Sequence, residues 1–222
     1  MTWIKICGIT NLEDAQIAVE AGADALGFVF YEKSPRKIGI ETAREIVKKL
    51  PPRVEKVGVF VDSPAESVRE IVLQAKLTAV QLHGKLPKEL SRDPRSGREW
   101  AGGAKLIVVI PGDTLKDGIL IGEPAHQMLF AILVDSRANG VAGGTGKTFD
   151  WEATRGMVGT MSLSIPVIVA GGLTQRNVGE AIKLFQPFGV DVASGVETRP
   201  GKKDPAKIRA FVSAVRAAGK VT

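Results

Sequence analysis

The sequence is poor in the residues that characterise secreted, membrane-bound and metal-dependent proteins. Its 222 residues include one cysteine and two histidines. One cysteine cannot form an internal disulfide, so we expect a reducing compartment, and two histidines are few for a metal site. No apolar run approaches the roughly 18 residues of a membrane helix, and no charged leader precedes an apolar segment at the start of the chain. We therefore predict a cytoplasmic protein with neither a membrane span nor a signal peptide.

Aromatic residues are also scarce, at 5% of the chain. Lysine and arginine number 30 against 24 acidic residues, which gives a net charge of +6. A nucleic-acid platform needs stacked aromatics in a basic groove, but here acidic residues lie between the basic ones, as in 41–49 and 66–76. The composition therefore argues against a nucleic-acid partner. It leaves open a small phosphorylated or carboxylated substrate, or a basic surface that is simply solvated.

Short apolar runs recur along the whole chain and are typical of strands that are covered on both faces. Eight such runs are centred near residues 4, 27, 59, 81, 107, 132, 168 and 191. Each is followed by a helical pattern or by enough chain to cross over, so the strands are expected to be parallel. Eight units in so short a chain favour a closed barrel over an open sheet. We predict an α/β fold, a single-domain (β/α)8 TIM barrel over residues 1–222.

Helical periodicity, with glycine and proline stops, follows most of these runs. Thr10 and Glu13 form an S/T-x-x-E capping pattern, and Asp62-Ser63-Pro64 combines a capping residue with a first-turn proline. The predicted helices are about 11–21, 41–50, 64–75, 151 onward, 175–185 and 204–218. The less regular segments are a short helix at 86–90, a surface loop at 91–103 and an ambiguous stretch at 112–127.

In a barrel of this kind the chemistry lies at the C-terminal ends of the strands. The residues presented there are Cys7, Arg36, His83, Asp135, Gly171-Gly172 and Ser194-Gly195. Cys7 could face a cleft as a reactive thiol, or it could be a small core residue, as free cysteines often are. Asp135 ends an otherwise apolar strand, where burial would raise its carboxyl pKa in the direction that a general acid requires. It could equally cap a helix or form a turn.

The two glycine-containing ends lie on adjacent strands. Gly171-Gly172 and Ser194-Gly195 lack bulky side chains, so their backbone N–H groups could approach a phosphate, although Gly-Gly is also a common turn. Arg36 could bind a carboxylate through its guanidinium or lie on the solvated surface. His83 could act as a base or as a structural hydrogen-bond donor.

The stretch 142–148 looks like a nucleotide phosphate loop, G-x-x-x-x-G-K-[ST]. Counting back five positions from Gly146 gives Val141, where that loop requires glycine. The stretch also lies well beyond its strand instead of opening a helix directly. We predict a flexible loop over the barrel mouth, which could act as a lid.

Taken in order, seven segments of the chain carry a family resemblance. They are Lys5-Ile-Cys-Gly-Ile-Thr10, Gly27-Phe-Val-Phe-Tyr31 with Ser34-Pro-Arg36, Val80-Gln-Leu-His-Gly84, Leu133-Val-Asp-Ser136, Gly143-Gly-Thr-Gly146 with Phe149-Asp-Trp151, Ala170-Gly-Gly-Leu173 with Asn177-Val178, and Asp191-Val-Ala-Ser-Gly-Val-Glu197 with Gly201-Lys-Lys-Asp204. In these segments the chain resembles the phosphoribosylanthranilate isomerases of tryptophan biosynthesis.

The resemblance implies an Amadori rearrangement of a phosphorylated small-molecule substrate, without cofactor or metal, by a monomer or homodimer. It implies that Cys7 is the general base and Asp135 the general acid. It further implies that Arg36 holds the anthranilate carboxylate and that Gly172, Ser194 and Gly195 hold the phosphate. The remaining substrate-binding residues that it implies are His83, Gly143, Gly144 and Gly171.

A base must be deprotonated, whereas a free thiol has a pKa of about 8.5. We hypothesise that the thiolate of Cys7 is stabilised by Lys5, by the N-terminus of the helix after Thr10, or by the bound substrate.

Three alternatives fit the residues less well. A histidine-pathway isomerase of similar chemistry is expected to use two aspartates, with one at the end of the first strand, where this chain has Cys7. A ribulose-phosphate epimerase is expected to need metal-binding His and Asp at several strand ends. A non-catalytic module on a barrel scaffold would bind phosphate without turnover.

Overall fold

The computed structural model describes residues 1–85, 102–112, 114, 129–135 and 150–219. Its parallel strands form a closed barrel in which each strand pairs with the next along the chain and the last pairs with the first. The strands are β1 (Trp3–Cys7), β2 (Ala25–Val29), β3 (Glu55–Val61), β4 (Ala79–His83), β5 (Lys105–Pro111), β6 (Leu129–Asp135), β7 (Val167–Val169) and β8 (Gly189–Val192). The predicted single-domain (β/α)8 barrel is confirmed, with all eight strands where the apolar runs indicated them.

Helices cover the outer face of this barrel. Those in the described residues are α1 (Leu12–Ala21), α2 (Ile40–Val47), α3 (Ala65–Ala75), α4 (Trp151–Ser162), α5 (Val178–Phe185) and α6 (Pro205–Ala218). None of them is long and apolar enough to cross a membrane. After β8 the chain forms a short 3-10 turn, Ser194–Val196, and an antiparallel hairpin of β9 (Glu197–Arg199) and β10 (Lys202–Lys203).

The strands are buried on both faces, which explains their unbroken apolar composition. Every residue of β2 is buried, because alternate side chains point into the barrel and outward to the helices. The outward side chains join the large core between strands and helices. The inward side chains form a separate core inside the barrel: Ala25, Val57, Ala79, Ile107, Ala131, Leu133, Ile168 and Ala170. This inner core fills the barrel, so the chemistry is confined to the rim formed by the C-terminal strand ends.

The predicted cap of the first helix is wrong. Helix α1 begins at Leu12, and its N-cap is Asn11, whose side chain accepts a hydrogen bond from the Asp14 backbone N–H at 2.9 Å. Thr10 lies one residue too early to cap this helix. Its hydroxyl donates instead to the carbonyl of Gly201 at 2.5 Å, which ties the end of β1 to the β9–β10 hairpin.

The predicted cap of α3 is also wrong. Pro64 is itself the N-cap, and no side chain caps this helix. Asp62 lies outside the helix in a left-handed conformation, with φ of 46°. In this turn its carboxylate accepts from the Lys85 backbone N–H at 2.8 Å, so Asp62 links the loops that follow β3 and β4.

The start of α5 lies three residues later than predicted, at Val178 instead of Gln175. The residues in between form a turn in which Asn177 Oδ1 accepts from the Thr174 backbone N–H at 2.7 Å. This side-chain bond competes with helix formation before Val178.

Several sequence predictions lie outside the described residues. They are the short helix at 86–90, most of the loop at 91–103, most of 112–127, and the glycine-rich segment 136–149 that contains Gly143 and Gly144.

Candidate active site

Cys7 ends β1 and lies at the C-terminal rim of the barrel. The residue is buried, with 7% of its surface exposed, and packs with Val29 and Val59. The neighbouring strand makes room for it, because a Cβ on Gly27 would lie 2.7 Å from the Cys7 Sγ. Real side chains do not approach so closely, so β2 needs glycine opposite the thiol.

The charge nearest to Cys7 along the strand is that of Lys5. The Lys5 side chain is fully buried inside the barrel, and its Nζ donates to Asp191 Oδ1 on β8 at 2.8 Å. Burying an ammonium is costly unless a carboxylate accompanies it. Burial acts to lower the pKa of Lys5, but the charges of Asp191 and Cys7 outweigh it, so the pKa is raised and Lys5 stays protonated.

Opposing effects act on the thiol itself. Burial raises the pKa of Cys7, and the charge and hydrogen bond of Lys5 act against this rise. Asp191 raises the Cys7 pKa again, while Lys203 lowers it, and the net pKa is above the ordinary value. Lys5 therefore acts in the hypothesised direction but does not by itself produce a thiolate in the unliganded protein.

Arg36 is buried beside the end of β1, with 4% of its surface exposed. A Cβ on Gly8, the residue after Cys7, would lie 2.6 Å from the Arg36 Cδ. The guanidinium forms a two-bond fork with Glu197 on β9, with 2.9 Å from Nε to Oε1 and 2.7 Å from Nη2 to Oε2. Arg36 is thus not a solvated surface residue but part of a buried ionic network.

Lys203 on β10 completes this network. Only 1% of Lys203 is exposed. Its Nζ donates to the carbonyls of Cys7 at 2.5 Å and Ala193 at 3.1 Å, and to Glu197 Oε1 at 3.0 Å. One ammonium therefore connects the ends of β1 and β8 with the carboxylate that binds Arg36.

The network keeps its carboxylate ionised. Burial acts to raise the pKa of Glu197, but the hydrogen bond from Arg36 and the charge of Lys203 outweigh it and hold this pKa below its usual value. Burial lowers the pKa of Lys203, and the charge of Glu197 opposes this.

His83 ends β4 at the same rim. Its Nε2 lies 2.8 Å from the Nε2 of Gln81, two residues earlier on the same face of the strand. Burial, with the positive charge of Lys5, lowers the pKa of His83 to about 4. The imidazole is therefore neutral near pH 7. The Gln81 side-chain amide and His83 Nε2 thus share a hydrogen bond, and which of them donates depends on the tautomer of the ring.

Asp135 ends β6, where it pairs in register with Pro111 of β5. It is half-buried, in contrast to the fully buried residues that precede it in the strand. Its carboxyl group thus lies at the border between the apolar barrel interior and the rim.

The loops after β7 and β8 lie against each other. Gly171 and Gly172 have φ of 83° and 66°, a conformation that side chains disfavour. A Cβ on Gly195 would lie 1.9 Å from the carbonyl oxygen of Leu173. The 3-10 turn Ser194–Val196 therefore packs directly on the backbone of the preceding loop, and only glycine permits this approach.

The structure brings Cys7 and Arg36 together at one side of the rim. Ser194-Gly195 is linked to them because Lys203 binds the carbonyl of the neighbouring Ala193. His83 and Asp135 lie at the ends of other strands of the same rim, and Gly143 and Gly144 lie outside the described residues. No group of three or more His, Cys, Asp or Glu side chains in the described part of the chain is arranged to hold a metal ion.

Sequence reasoning missed four residues that build this site. Gly27, Asp191, Glu197 and Lys203 all fall within the resemblance segments, but no local pattern showed what they contact. A signal was available for three of them, because charged residues next to apolar strand residues are expected to be paired when buried. Their partners lie up to 196 residues away in the chain, as with Lys203 and Cys7.

Comparisons with known proteins identify relatives of this chain. Residues 4–214 match the family model of N-(5'-phosphoribosyl)anthranilate (PRA) isomerase. The N-(5'-phosphoribosyl)anthranilate isomerase of Pseudomonas paraeruginosa is 44% identical over 98% of this chain and 96% of its own length. That of Geobacter metallireducens is 42% identical over 98% of this chain and its full length.

Solved structures of this enzyme are also similar. The phosphoribosyl anthranilate isomerase of Thermotoga maritima superposes with a TM-score of 0.82 at 42% identity, covering 98% of this chain and 100% of that chain. A second structure, in complex with reduced 1-(o-carboxyphenylamino)-1-deoxyribulose 5-phosphate, has a TM-score of 0.76 at 39% identity with the same coverage. The chain therefore belongs to the N-(5'-phosphoribosyl)anthranilate isomerase family.

Proposed function

We propose that this chain catalyses the Amadori rearrangement of N-(5-phosphoribosyl)anthranilate to 1-(2-carboxyphenylamino)-1-deoxyribulose 5-phosphate in tryptophan biosynthesis. The observation that carries the proposal is family membership over nearly the whole chain. The buried thiol, the buried guanidinium and the glycine loops at one rim support it, since they match the three chemical needs of this reaction: a base, a carboxylate anchor and a phosphate anchor.

In the first step, Asp135 acts as the general acid. Its carboxyl proton passes to the ribose ring oxygen as the bond from this oxygen to C1 breaks. The lone pair of the anthranilate nitrogen forms a double bond to C1, which gives an open-chain iminium. The half-buried position of Asp135 supports this role, because the group can meet both the substrate and the apolar interior.

In the second step, Cys7 acts as the general base, with its thiolate formed in the substrate-bound state, since the pKa of the thiol is raised in the unliganded protein. Its thiolate removes the proton from C2, the C–H electrons form a C1–C2 double bond, and the imine electrons return to nitrogen. The resulting enolamine tautomerises to the ketone. C2 is oxidised and C1 is reduced within one molecule, so the reaction requires neither a nicotinamide nor a metal.

Two anchors would hold the substrate between these groups. Arg36 would bind the anthranilate carboxylate, and backbone N–H groups of Gly172, Ser194 and Gly195 would bind the phosphate. Gly143, Gly144 and Gly171 are the other glycines proposed to bind the substrate. The neutral ring of His83 would hydrogen-bond to the substrate at the same rim. Fixing both ends of the substrate limits the motion of the reacting carbons between the acid and the base.

The direct test is turnover. Substrate is generated in situ from anthranilate and phosphoribosyl pyrophosphate with a transferase, and the loss of anthranilate fluorescence is followed after this chain is added. We expect enzyme-dependent turnover by the wild-type protein. Folded, purified protein that gives no turnover would refute the assignment.

Substitution of the base separates chemistry from structure. Cys7→Ala is expected to lower kcat by about 10²–10⁴-fold. Its affinity for the reduced product analogue, measured by calorimetry, should stay at the wild-type level. An equal loss of binding would instead support a purely structural role for Cys7. Asp135→Asn should show the same pattern for the acid.

We further propose that residues 1–222 form this one domain and that it acts in the cytoplasm as a monomer or homodimer. A dimeric phosphoribosylanthranilate isomerase from Thermotoga maritima, from which monomers were generated, covers 98% of this chain at 38% identity with a TM-score of 0.78. This supports both oligomeric states as compatible with the barrel, and sedimentation would distinguish them for this chain.

A further inference from the structure

The β9–β10 hairpin is not part of the barrel, yet it carries two buried charges. Glu197 is 6% exposed and Lys203 is 1% exposed. Burying charged groups has a desolvation penalty of several kcal/mol per ion, and apolar residues of similar volume often give equal or higher stability. Fastening a hairpin to a barrel therefore does not require these charges.

The charges do define the orientation of Arg36. Glu197 binds both Nε and Nη2 of the guanidinium, at 2.9 Å and 2.7 Å. A two-bond fork fixes the plane of the guanidinium and hence the direction in which each of its N–H groups points. A single hydrogen bond would leave the group free to rotate.

The carboxylate is itself held from two further sides. Lys203 Nζ donates to Glu197 Oε1 at 3.0 Å, and the Gly201 backbone N–H donates to the same oxygen at 3.3 Å. The same Lys203 Nζ binds the Cys7 carbonyl. Lys203 and Glu197 together thus fix the position of Arg36 relative to the end of β1, which carries the thiol.

We propose that Glu197 is a positioning residue that, supported by Lys203, holds Arg36 in the orientation in which it binds the substrate carboxylate relative to Cys7. The inference rests on the proposed function, because it assigns a partner to the proposed carboxylate anchor. Glu197 acts through Arg36 and does not itself contact the reacting atoms.

The chain offers a matched control in Asp14, which is 1% exposed and anchors the same hairpin from helix α1. Its carboxylate binds the Lys202 Nζ at 2.8 Å and the Lys203 backbone N–H at 2.8 Å. None of its hydrogen bonds in the described residues goes to Arg36. Asp14→Asn thus weakens the attachment of the hairpin and leaves the Arg36 fork in place.

The test compares Glu197→Gln with Asp14→Asn in the turnover assay and by calorimetry. For Glu197→Gln we expect the KM for the substrate to rise by about tenfold or more, with a smaller change in kcat, because a charged fork is replaced by one neutral acceptor. Affinity for the reduced product analogue should fall in parallel, while inhibition by inorganic phosphate stays at the wild-type level. Asp14→Asn should leave the KM and the phosphate inhibition close to wild type.

Double substitution gives the decisive readout. Arg36→Lys retains the charge but not the fork, so adding Glu197→Gln to it should raise the KM no further. Additive losses in the double variant, an unchanged KM in Glu197→Gln, or an equal KM rise in Asp14→Asn would each overturn the proposal.

If Glu197→Gln does not fold, Glu197→Asp serves instead. It keeps the charge with a shorter reach and should give an intermediate KM. Absence of wild-type turnover would refute the proposed function, whereas wild-type turnover with an unaffected Glu197 variant would refute only the positioning role.

Discussion

At the scale of single residues, Lys5 and Asp191 form a buried ion pair whose two charges act in opposite directions on the Cys7 thiol. Their ion pair is buried inside the barrel, with Lys5 fully enclosed. The Lys5 charge opposes the rise that burial causes in the Cys7 pKa, whereas Asp191 adds to that rise. The pair is thus expected to matter more for the ionisation of the thiol than for the stability of the fold.

We predict that Lys5→Met destabilises the protein by about 3–5 kcal/mol, because it leaves the Asp191 carboxylate buried without its partner. Adding Asp191→Leu should recover most of this stability, as measured by urea unfolding. The double variant should still show a kcat/KM below wild type at pH 7, because Lys5 lowers the Cys7 pKa by more than Asp191 raises it. Recovery of activity together with stability would contradict this separation.

His83 gives a prediction for stability in acid. Its pKa of about 4 in the folded protein lies below the ordinary value of 6.5, so the unfolded chain takes up the proton first as the pH falls. The neutral ring's contribution is therefore fully present above pH 6.5 and is lost as the pH falls to about 4. At pH 5 the loss amounts to up to about 2 kcal/mol.

Urea unfolding at pH 7 and pH 5 measures this effect. His83→Asn removes the titrating ring, so its free energy of unfolding should fall less between the two pH values than that of the wild type. The difference between the two proteins isolates His83 from the carboxylates that titrate in the same range. Identical pH dependence would show that His83 is not the group responsible.

At the scale of elements, the loops after β7 and β8 act as one unit because they touch through their backbones. The Cβ of an alanine at position 195 would lie 1.9 Å from the Leu173 carbonyl oxygen, and backbone cannot move as a side-chain tip can. The two loops must separate to accept it. The proposed phosphate anchor and the local packing are therefore expected to fail together.

We predict that Gly195→Ala weakens inhibition by inorganic phosphate by at least about tenfold and lowers the free energy of unfolding by about 1–3 kcal/mol. Gly159→Ala in α4 is the matched control, since no atom lies within 4 Å of its Cβ. In a helix interior this change should raise stability by roughly 0.5–1 kcal/mol and leave phosphate inhibition unchanged. Wild-type phosphate inhibition by Gly195→Ala would argue against these loops as the phosphate site.

At the scale of the whole molecule, the net charge of +6 faces a substrate that carries a carboxylate and a phosphate. Salt screens the attraction between them, and the screening length falls from about 30 Å at 10 mM salt to about 10 Å at 100 mM. We predict that kcat/KM falls several-fold as potassium chloride is raised over this range, while kcat is unchanged. Sucrose at equal osmolarity is the control, and a salt-independent kcat/KM would exclude a contribution of net charge to substrate capture.

The barrel could be predicted from sequence because its signal is local. A strand covered on both faces, such as Ala25–Val29, is apolar throughout, and a glycine such as Gly22 ends a helix wherever the helix packs. A local pattern does not separate the two candidate caps of α1, since Thr10 and Asn11 are both good capping residues and differ by one position. Which of them caps α1 depends on the hairpin, whose Gly201 carbonyl binds the Thr10 hydroxyl.

The sequence by itself determined the barrel, the strand ends and the identity of Cys7, Arg36, His83 and Asp135 as candidates, because strand and helix periods act within a few residues. Only the tertiary structure decided what surrounds these groups. Lys5 meets Asp191 from 186 residues away, and Arg36 meets Glu197 from 161 residues away. Barrel closure brings β8 beside β1 and so creates these pairs. The charges that set the ionisation of the thiol and the orientation of the guanidinium thus follow from topology, which no local pattern contains.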